Sequence, residues 1–297
     1  MTPCPLCASL AQRPAFAARD YEHGVVGEWS IARCDACGLY FQAPLPHPAQ
    51  IPSFYPPSYS AYNSDTLISL LFRFIYRLDA RRVAKLIGRT GRVLDIGCGN
   101  GSALLQLRKR GRWQLCGLEF DESAAAKARE RGLDVRSGDV LDCDFPDRSF
   151  DLIRMGHVIE HVVDPAATIS RVYSLLKPGG VLYGETPNTN CLDFRIFGRY
   201  WGALHAPRHL TFFNSANLHK LLTDTGFSEI RIAPRLRTVG WSCGIQNLLA
   251  DKGAVKVPDT GRVPWYVLLI VPFLPVTLLQ SLFGTTATIA FIARKPA

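Results

Sequence analysis

The chain has 297 residues, of which 47% are hydrophobic, and this allows a sizeable core in one large domain with a small second one. Its net charge of +9 suits nucleic acid, anionic lipid or an acidic substrate, and by itself does not choose among them. The N-terminus lacks a basic start followed by an apolar run, which argues against a secretory signal and predicts a cytoplasmic location. We therefore expect the nine cysteines to be reduced or metal-bound rather than paired in disulfides.

Two pairs of cysteines lie in the first segment, residues 1–45. Cys4 and Cys7 form one Cys-x-x-Cys turn, and Cys34 and Cys37 form another. Two such turns can supply the four thiolates of a closed tetrahedral zinc site. The glycines and apolar residues between the pairs suit the hairpin of a zinc ribbon, whereas a redox-active pair is the alternative. We predict a zinc-ribbon-like module that is stabilised by a structural Zn²⁺.

Residues 46–88 form the second segment, a linker followed by a helix. The linker is dense in proline and aromatic residues, so it cannot be a regular element, and we expect its aromatic side chains to pack on a domain. Residues 67–88 have the spacing of an amphipathic helix that carries several arginines. Its basic face is either solvated or directed at anionic lipid or phosphate.

A glycine-rich stretch opens the third segment, residues 89–297. The run Val-Leu-Asp-Ile-Gly-Cys-Gly-Asn-Gly-Ser predicts a short buried parallel strand, a tight turn and the start of a helix. Asp95 lies in the strand, and the turn contains Gly97, Gly99 and Gly101. Glycines at alternate positions let the backbone bend sharply and pass close to a ligand, because no Cβ intervenes.

A second predicted strand ends in Glu119, about 20 residues after the glycine turn, where a carboxylate can accept hydrogen bonds from a ribose diol. The G-x-G-x-G spacing differs from that of dinucleotide sites. Together with Asp95 it resembles the first motif of the class I S-adenosylmethionine-dependent methyltransferases, and Glu119 resembles their ribose-binding acid. The same resemblance implies that Asp139, after the third strand, lies near the adenine amino group; a turn or helix-cap aspartate is the alternative.

The fourth predicted strand, residues 149–155, is followed by His157, Glu160 and His161. In an open α/β sheet, ligands bind at the edge formed by the C-terminal ends of the parallel strands, and catalytic residues are expected there. His157 is a candidate general base that would take a proton from an acceptor hydroxyl. Metal binding is a second role, since Glu160-His161 resembles a segment of small-RNA 2′-O-methyltransferases, although His157 stands where that family has a glutamate. A purely structural role for the pair is equally open.

Residues 188–214 are additional to the elements of a minimal methyltransferase domain. We predict that they form a substrate-side insertion that covers the cofactor pocket. The Leu-Lys-Pro-Gly-Gly turn at residues 176–180, before the fifth strand, resembles the same family and indicates the fold alone. Within the insertion, the arginines, Arg195 and Arg208, can clamp a phosphate or carboxylate bidentately. His205 and His209 lie beside Arg208 in sequence, and we expect one of them to line the substrate site as a further candidate base.

Residues 234–284 form a second, hydrophobic insertion before the last strand. The uncharged run within residues 264–283 is long enough to raise the question of a membrane span, but Pro272 and Pro275 interrupt it. We expect this run to contact a lipid interface, a substrate domain or another subunit.

The resemblance covers nearly the whole chain and implies a bacterial group of methyltransferases associated with surface-polysaccharide or glycolipid genes. It implies an α/β, Rossmann-like seven-stranded sheet whose last strand is antiparallel. The expected activity is methyl transfer from S-adenosylmethionine to a small-molecule, sugar or lipid-linked glycan acceptor, with zinc as a second cofactor and a peripheral location at the inner membrane face. The alternatives are an RNA methyltransferase that binds RNA through the zinc module, and a non-catalytic module on the same scaffold; nucleic acid is disfavoured as a partner because the arginines are not interleaved with aromatic residues.

Overall fold

The computed structural model describes residues 2–56, 59 and 67–297. Its strands are β1 (Gln12–Ala18), β2 (Trp29–Cys34), β3 (Tyr40–Gln42), β4 (Thr90–Ile96), β5 (Arg112–Glu119), β6 (Asp134–Ser137), β7 (Phe150–Gly156), β8 (Leu176–Pro187), β9 (Thr211–Phe212), β10 (Ser228–Arg235) and β11 (Thr288–Arg294). Its α-helices are α1 (Leu67–Ile87), α2 (Ser102–Arg108), α3 (Glu122–Glu130), α4 (Pro165–Leu175), α5 (Leu192–Phe197), α6 (Ser215–Thr225), α7 (Val239–Asp251) and α8 (Leu274–Leu282).

Seven strands form the central sheet, in the order β10-β11-β8-β7-β4-β5-β6. Strands β8, β7, β4, β5 and β6 pair in parallel, and β11 runs antiparallel between β8 and β10. The predicted Rossmann-like architecture with an antiparallel last strand is therefore confirmed. The C-terminal ends of the parallel strands β4, β5, β6 and β7 lie at the same edge of the sheet, which is where such sheets bind ligands.

Helices cover both faces of the sheet, which explains why residues 93–96 of β4 are apolar except for Asp95. Val93 packs on one face with side chains of α1, α2 and α3, such as Leu104. Leu94, the next residue, packs on the opposite face with side chains of α4 and α6, such as Val172 and Leu221. Successive residues of a strand point to opposite faces, so both faces of β4 are buried in apolar side chains.

The N-terminal strands do not form a sheet by themselves. Strands β1, β2 and β3 form a smaller antiparallel sheet whose fourth strand, β9, comes from the predicted substrate-side insertion. Tyr40 of β3 pairs with Phe212 of β9. Cys4 and Cys34 belong to the same buried apolar cluster as residues of the central sheet. Main-chain pairing and a shared core thus join the cysteine-bearing segment to the large domain, which we did not predict.

The second insertion, between β10 and β11, folds into α7, a 3₁₀ turn (Pro264–Leu269) and α8. Pro275 occupies the first turn of α8, where its missing N–H costs no hydrogen bond. The uncharged run is therefore divided into two short pieces. No described helix combines the length and the apolar character needed to cross a bilayer.

A buried hydrogen-bond network joins the two insertions. Trp201 Nε1 donates to Asp193 Oδ2 at 2.8 Å, and Gln280 Nε2 of α8 donates to Asp193 Oδ1 at 3.2 Å. Trp241 Nε1 of α7 donates to Gln280 Oε1 at 3.0 Å. Since a buried carboxylate is costly without donors, this network holds α5, α7 and α8 in one arrangement.

Candidate functional site

The turn between β4 and α2 brings the backbone close to its neighbours. Gly97, Gly99 and Gly101 all have positive φ, at 67°, 56° and 77°. An added Cβ on Gly97 would lie 2.5 Å from Cγ2 of Val158, in the turn that follows β7. Both the positive φ and the close approach to Val158 require glycine at position 97. Gly97 therefore places no side chain over the sheet edge.

Glu119, at the end of β5, is hydrogen-bonded to this turn. Its Oε2 accepts from the backbone N–H of Gly99 at 2.7 Å, and its Oε1 accepts from Asp121 N–H at 3.1 Å. Burial raises the pKa of Glu119, although the backbone donors oppose the shift. The carboxylate thus lies against the glycine turn.

Asp95, in β4, is fully buried and has one oxygen without a partner. Oδ1 accepts from Arg154 Nη1 at 2.7 Å, whereas the described residues offer no hydrogen-bond donor to Oδ2. Burial raises the pKa of Asp95, and the charge of Arg154 opposes this shift. An unsatisfied buried carboxylate oxygen next to the glycine turn fits a ligand that carries a positively charged amino group.

Asp139 lies in the turn after β6, and its neighbour Gly138 donates to the carbonyl of Glu119 at 3.0 Å. Asp139 Oδ1 accepts from Leu141 N–H at 2.8 Å, so this side chain also stabilises its own turn. Phe120, directly after Glu119, is 55% exposed. Phe120 was not among the predicted site residues, yet a large exposed aromatic ring beside Glu119 is suited to stack on a flat ring of a ligand.

The turn after β7 holds His157 and Glu160 together. His157 has a positive φ of 57°, and its backbone N–H donates to the carbonyl of Glu185 in β8 at 2.8 Å. Its Nδ1 lies 2.9 Å from Glu160 Oε1, and Thr186 Oγ1 donates to Glu160 Oε2 at 3.0 Å. Burial lowers the pKa of His157, but the hydrogen bond and charge of Glu160 outweigh it, so the pKa lies above its ordinary value.

Backbone hydrogen bonds dock the first insertion on this turn. The carbonyl of Glu160 accepts from Leu210 N–H at 2.7 Å and from Thr211 N–H at 3.2 Å. These bonds bring the histidines of the insertion next to the residues after β7. The rings of His161 and His209 pack edge to face, with centroids 4.5 Å apart.

Burial keeps two of these imidazoles neutral. It lowers the pKa of His161 to about 4 and that of His209 well below its ordinary value. Nδ1 of His205 lies 2.8 Å from Oε1 of Glu22, a buried carboxylate. The φ of His205, 41°, is also positive, a backbone strain that non-glycine residues often show at functional sites.

Aromatic residues of the proline-rich linker contact this cluster. The Tyr55 hydroxyl lies 3.0 Å from His161 Nδ1. The rings of Tyr55 and Tyr59 contact each other edge to face at 5.2 Å, and the Arg208 guanidinium lies over the Tyr59 ring. Arg208 does clamp a carboxylate, but it is Asp20 of the chain itself. Our interpretation of Arg208 as a clamp for a substrate anion is therefore wrong.

The four N-terminal cysteines converge on one point. Cys4 Sγ lies 3.6 Å from Cys37 Sγ, and Cys7 Sγ lies 3.6 Å from Cys34 Sγ. All four sulfurs lie within 4.8 Å of one another. Zinc–sulfur bonds of about 2.3 Å imply sulfur–sulfur separations of about 3.8 Å in a tetrahedron. This donor set and its spacing fit one Zn²⁺ ion.

An apolar surface lies on the second insertion. Its largest side chains include Leu282 and Phe283, which are 80% and 73% exposed at the end of α8. We call it the α8 patch; its members are Leu268, Val271, Leu274, Leu278, Leu279, Leu282 and Phe283. One short segment thus exposes seven large apolar side chains.

Comparison with known proteins identifies the family to which the chain belongs. The chain matches the model of the Methyltransferase domain family over residues 69–231, more than half of its length. A "Probable S-adenosylmethionine-dependent methyltransferase" of Mycolicibacterium smegmatis is 35% identical over 218 residues, covering 64% of this chain and 79% of the relative. A ubiquinone biosynthesis O-methyltransferase of Stutzerimonas stutzeri is 33% identical over 39% of this chain, which spans 54% of that enzyme. Phosphoethanolamine N-methyltransferase 3 of Arabidopsis thaliana is 29% identical over 47% of this chain, which spans 29% of that enzyme.

Solved structures have the same fold. An S-adenosylmethionine-dependent methyltransferase from Archaeoglobus fulgidus superposes with a TM-score of 0.53 and 21% identity, over 75% of this chain and 94% of that one. Phosphoethanolamine N-methyltransferase 2 of Haemonchus contortus, in complex with S-adenosylmethionine, gives a TM-score of 0.51 and 21% identity over 74% of this chain and 53% of that one. With the glycine turn, the acids around it and the family match, the chain belongs to the methyltransferase-domain family and is an S-adenosylmethionine-dependent methyltransferase.

Proposed function

We propose that this enzyme methylates a nucleophilic atom on a small-molecule or lipid-linked glycan acceptor. The observation that supports the cofactor assignment best is the hydrogen bond of 2.7 Å from Gly99 N–H to Glu119, which joins the glycine turn to a carboxylate at the sheet edge. S-adenosylmethionine supplies an electrophilic methyl group when it is bound. The residues of the chain then bind and orient both reactants, which accounts for most of the acceleration of such a transfer.

We assign the cofactor contacts to the residues around the glycine turn. Gly97, Gly99 and Gly101 leave room for the ligand, and Glu119 accepts hydrogen bonds from the ribose. Asp95 Oδ2, the buried oxygen without a donor among the described residues, accepts from the amino group of the methionine part.

Asp139 and Phe120 complete this arrangement on the adenine side. Asp139 lies next to Gly138, which is hydrogen-bonded to Glu119. We assign Asp139 to the adenine amino group and Phe120 to the face of the ring.

For an acceptor hydroxyl, we assign the general base to His157. Its side chain is 44% exposed while Nδ1 is bound to Glu160, so Nε2 can receive a proton from the acceptor. His205, held by Glu22, is the second candidate. His209 is the weakest of the three as a base, because burial keeps its pKa well below the ordinary value.

We propose two further features from the same chain. Cys4, Cys7, Cys34 and Cys37 bind a structural Zn²⁺ ion, since their four sulfurs have the required spacing. The α8 patch contacts the surface of a membrane, which would bring the enzyme to a lipid-linked acceptor at the inner face. The net charge of +9 supports attraction to anionic lipid.

Calorimetry with S-adenosylmethionine tests the cofactor assignment. We expect Glu119→Gln to weaken binding by about tenfold or more, since a charged hydrogen-bond acceptor contributes ~1.5–3 kcal/mol. Gly97→Leu should abolish binding, because its side chain would collide with Val158 and fill the turn. Glu122→Gln, which removes an exposed carboxylate on α3, is the matched control and should bind like the wild type. Equal affinity of the Glu119 variant and the wild type would refute the assignment.

Transfer of a tritiated methyl group tests the acceptor class. The enzyme is incubated with labelled S-adenosylmethionine and, separately, a lipid extract, a nucleotide-sugar pool and total RNA. We expect label in the lipid or sugar fraction and none with the Gly97→Leu variant. Label in RNA alone would replace the proposed acceptor with the RNA alternative.

A further inference from the structure

We propose that Glu160, His161 and His209 bind a divalent transition-metal ion at the edge of the central sheet. One ligand atom from each residue lies within 4.8 Å of the other two. Glu160 is fully buried and His209 is 5% exposed, so water competes little for the site. Two imidazoles and one carboxylate form a donor set that suits Mn²⁺, Fe²⁺, Co²⁺ and Zn²⁺.

Backbone carbonyls determine which ring nitrogens can bind the ion. His161 Nδ1 lies 3.1 Å from the carbonyl oxygen of Arg208, and His209 Nδ1 lies 2.9 Å from that of Ala203. A carbonyl only accepts, so we assign the proton to each Nδ1 and the lone pair to each Nε2. The Tyr55 hydroxyl, 3.0 Å from His161 Nδ1, then accepts from the same N–H. Metal-binding histidines show this contact from the second ring nitrogen to a carbonyl or carboxylate.

The carboxylate of Glu160 is held by donors on both oxygens. Thr186 Oγ1 donates to Oε2 at 3.0 Å, and His157 Nδ1 lies 2.9 Å from Oε1. Each carboxylate oxygen can accept a second partner, so both keep a free lone pair. These contacts fix the carboxylate in the way that outer-sphere contacts fix metal ligands.

Across the part of the chain that the structure describes, no hydrogen bond is found at Nε2 of His161 or of His209. Glu160, His161 and His209 therefore each offer an electron pair, and one ligand atom from each lies within 4.8 Å of the other two. A cation can accept all three electron pairs at once.

The fold holds the three ligands in place. Glu160 and His161 lie in the turn after β7, and His209 precedes β9 in the first insertion. Two backbone hydrogen bonds to the Glu160 carbonyl, from Leu210 and Thr211, join these segments. Binding an ion therefore needs little rearrangement of the backbone.

An ion with three protein ligands keeps open positions for an oxygen of the acceptor. Binding there lowers the pKa of a hydroxyl, so the site would favour acceptors that present a sugar or phenol hydroxyl. This role rests on the proposed methyl transfer, whereas the binding of the ion itself does not.

Titration of the full-length chain with Mn²⁺ tests the site. The protein is first given one equivalent of Zn²⁺ to occupy the four cysteines, because thiolates select Zn²⁺ and Mn²⁺ prefers nitrogen and oxygen ligands. Bound Mn²⁺ is then counted from the loss of the aqueous Mn²⁺ signal in electron paramagnetic resonance. We expect a single Mn²⁺ per chain in the wild type. Glu160→Gln and His209→Gln should each weaken this binding by about tenfold or more.

His219→Gln is the matched control, because it removes an exposed imidazole on α6. It should bind Mn²⁺ like the wild type. The proposal fails if the wild type binds neither Mn²⁺ nor Co²⁺, or if both cluster variants bind as tightly as the wild type.

Two further readouts keep the test independent of variant folding and of the proposed function. Spin-echo spectra of the wild type should show coupling of bound Mn²⁺ to imidazole nitrogen, and its absence would overturn the site even if a variant does not fold. Calorimetry with S-adenosylmethionine on the same samples reports the cofactor site separately. If the wild type binds Mn²⁺ but does not bind S-adenosylmethionine, the proposed function is refuted and the metal site is not.

Discussion

Arg208 forms a bidentate ion pair with Asp20 in the protein interior. Its Nη1 and Nη2 donate to the two carboxylate oxygens at 2.8 and 3.0 Å, and both side chains are 1% exposed. Nη1 also donates to the carbonyl of Phe54 at 3.3 Å. The pair thus ties the N-terminal sheet and the linker to the insertion that carries His205 and His209.

We expect Asp20→Asn to lower the free energy of unfolding by about 3–5 kcal/mol. Removing one partner of a buried pair leaves the other charge without compensation, and this costs more than the pair itself contributes. Urea unfolding followed by circular dichroism measures the change. Lys220→Met, which breaks an exposed ion pair with Asp224 on α6, is the control and should change the stability by less than about 1 kcal/mol. Equal effects of the two substitutions would contradict this account.

The cysteine cluster leads to a second prediction. Elemental analysis of the purified protein should show zinc, and Cys34→Ser should remove it, because four thiolates close a structural site. Loss of the ion should destabilise β1 to β3, which we would follow by hydrogen exchange of their amides. Cys191→Ser, which alters a buried cysteine outside the cluster, should retain the zinc. Full zinc content in the Cys34 variant would exclude the site.

A third prediction concerns acid stability and Glu185. Burial raises the pKa of this carboxyl, but the charges of Arg237 and Arg235 outweigh it and lower the pKa from 4.5 to about 2. Because the pKa is depressed in the folded state, the stabilisation is fully present above pH 4.5 and is lost as the pH falls toward about 2.

Glu185→Gln should therefore reduce stability at neutral pH and make the decline of stability in this acid range shallower. Urea unfolding at several pH values measures both effects. Glu130→Gln, at an exposed position of α3, should leave the profile unchanged. A Glu185 variant with the acid profile of the wild type would contradict the assignment.

The α8 patch gives a fourth prediction. Flotation with vesicles that contain anionic lipid should carry the wild type upward, and Leu282→Asp with Phe283→Asp should reduce the floated fraction several-fold. Each substitution replaces buried apolar area on the membrane with a charge. Val26→Asp changes an apolar residue that is 97% exposed elsewhere on the surface, and it should float like the wild type. Failure of the wild type to float would rule out the membrane contact.

The sequence alone determined the elements of the central sheet. The strands that end before Gly97 and at Glu119, and the last strand near the C-terminus, were predicted within a few residues of β4, β5 and β11. These predictions rest on local signals, because a buried strand is rich in apolar residues and a tight turn needs glycine at its positive-φ positions. The interruption of the uncharged run by Pro272 and Pro275 is also a local signal.

Only the tertiary structure decided which side chains meet. The sequence indicates His161 and His209 separately, but their contact depends on hydrogen bonds from Leu210 and Thr211, where β9 begins, to the turn after β7. The partner of Arg208 could not be predicted either, since Asp20 lies in a distant part of the sequence and comes into reach when β9 joins the N-terminal sheet. Such pairs arise from packing between distant segments, and no local periodicity or spacing records them.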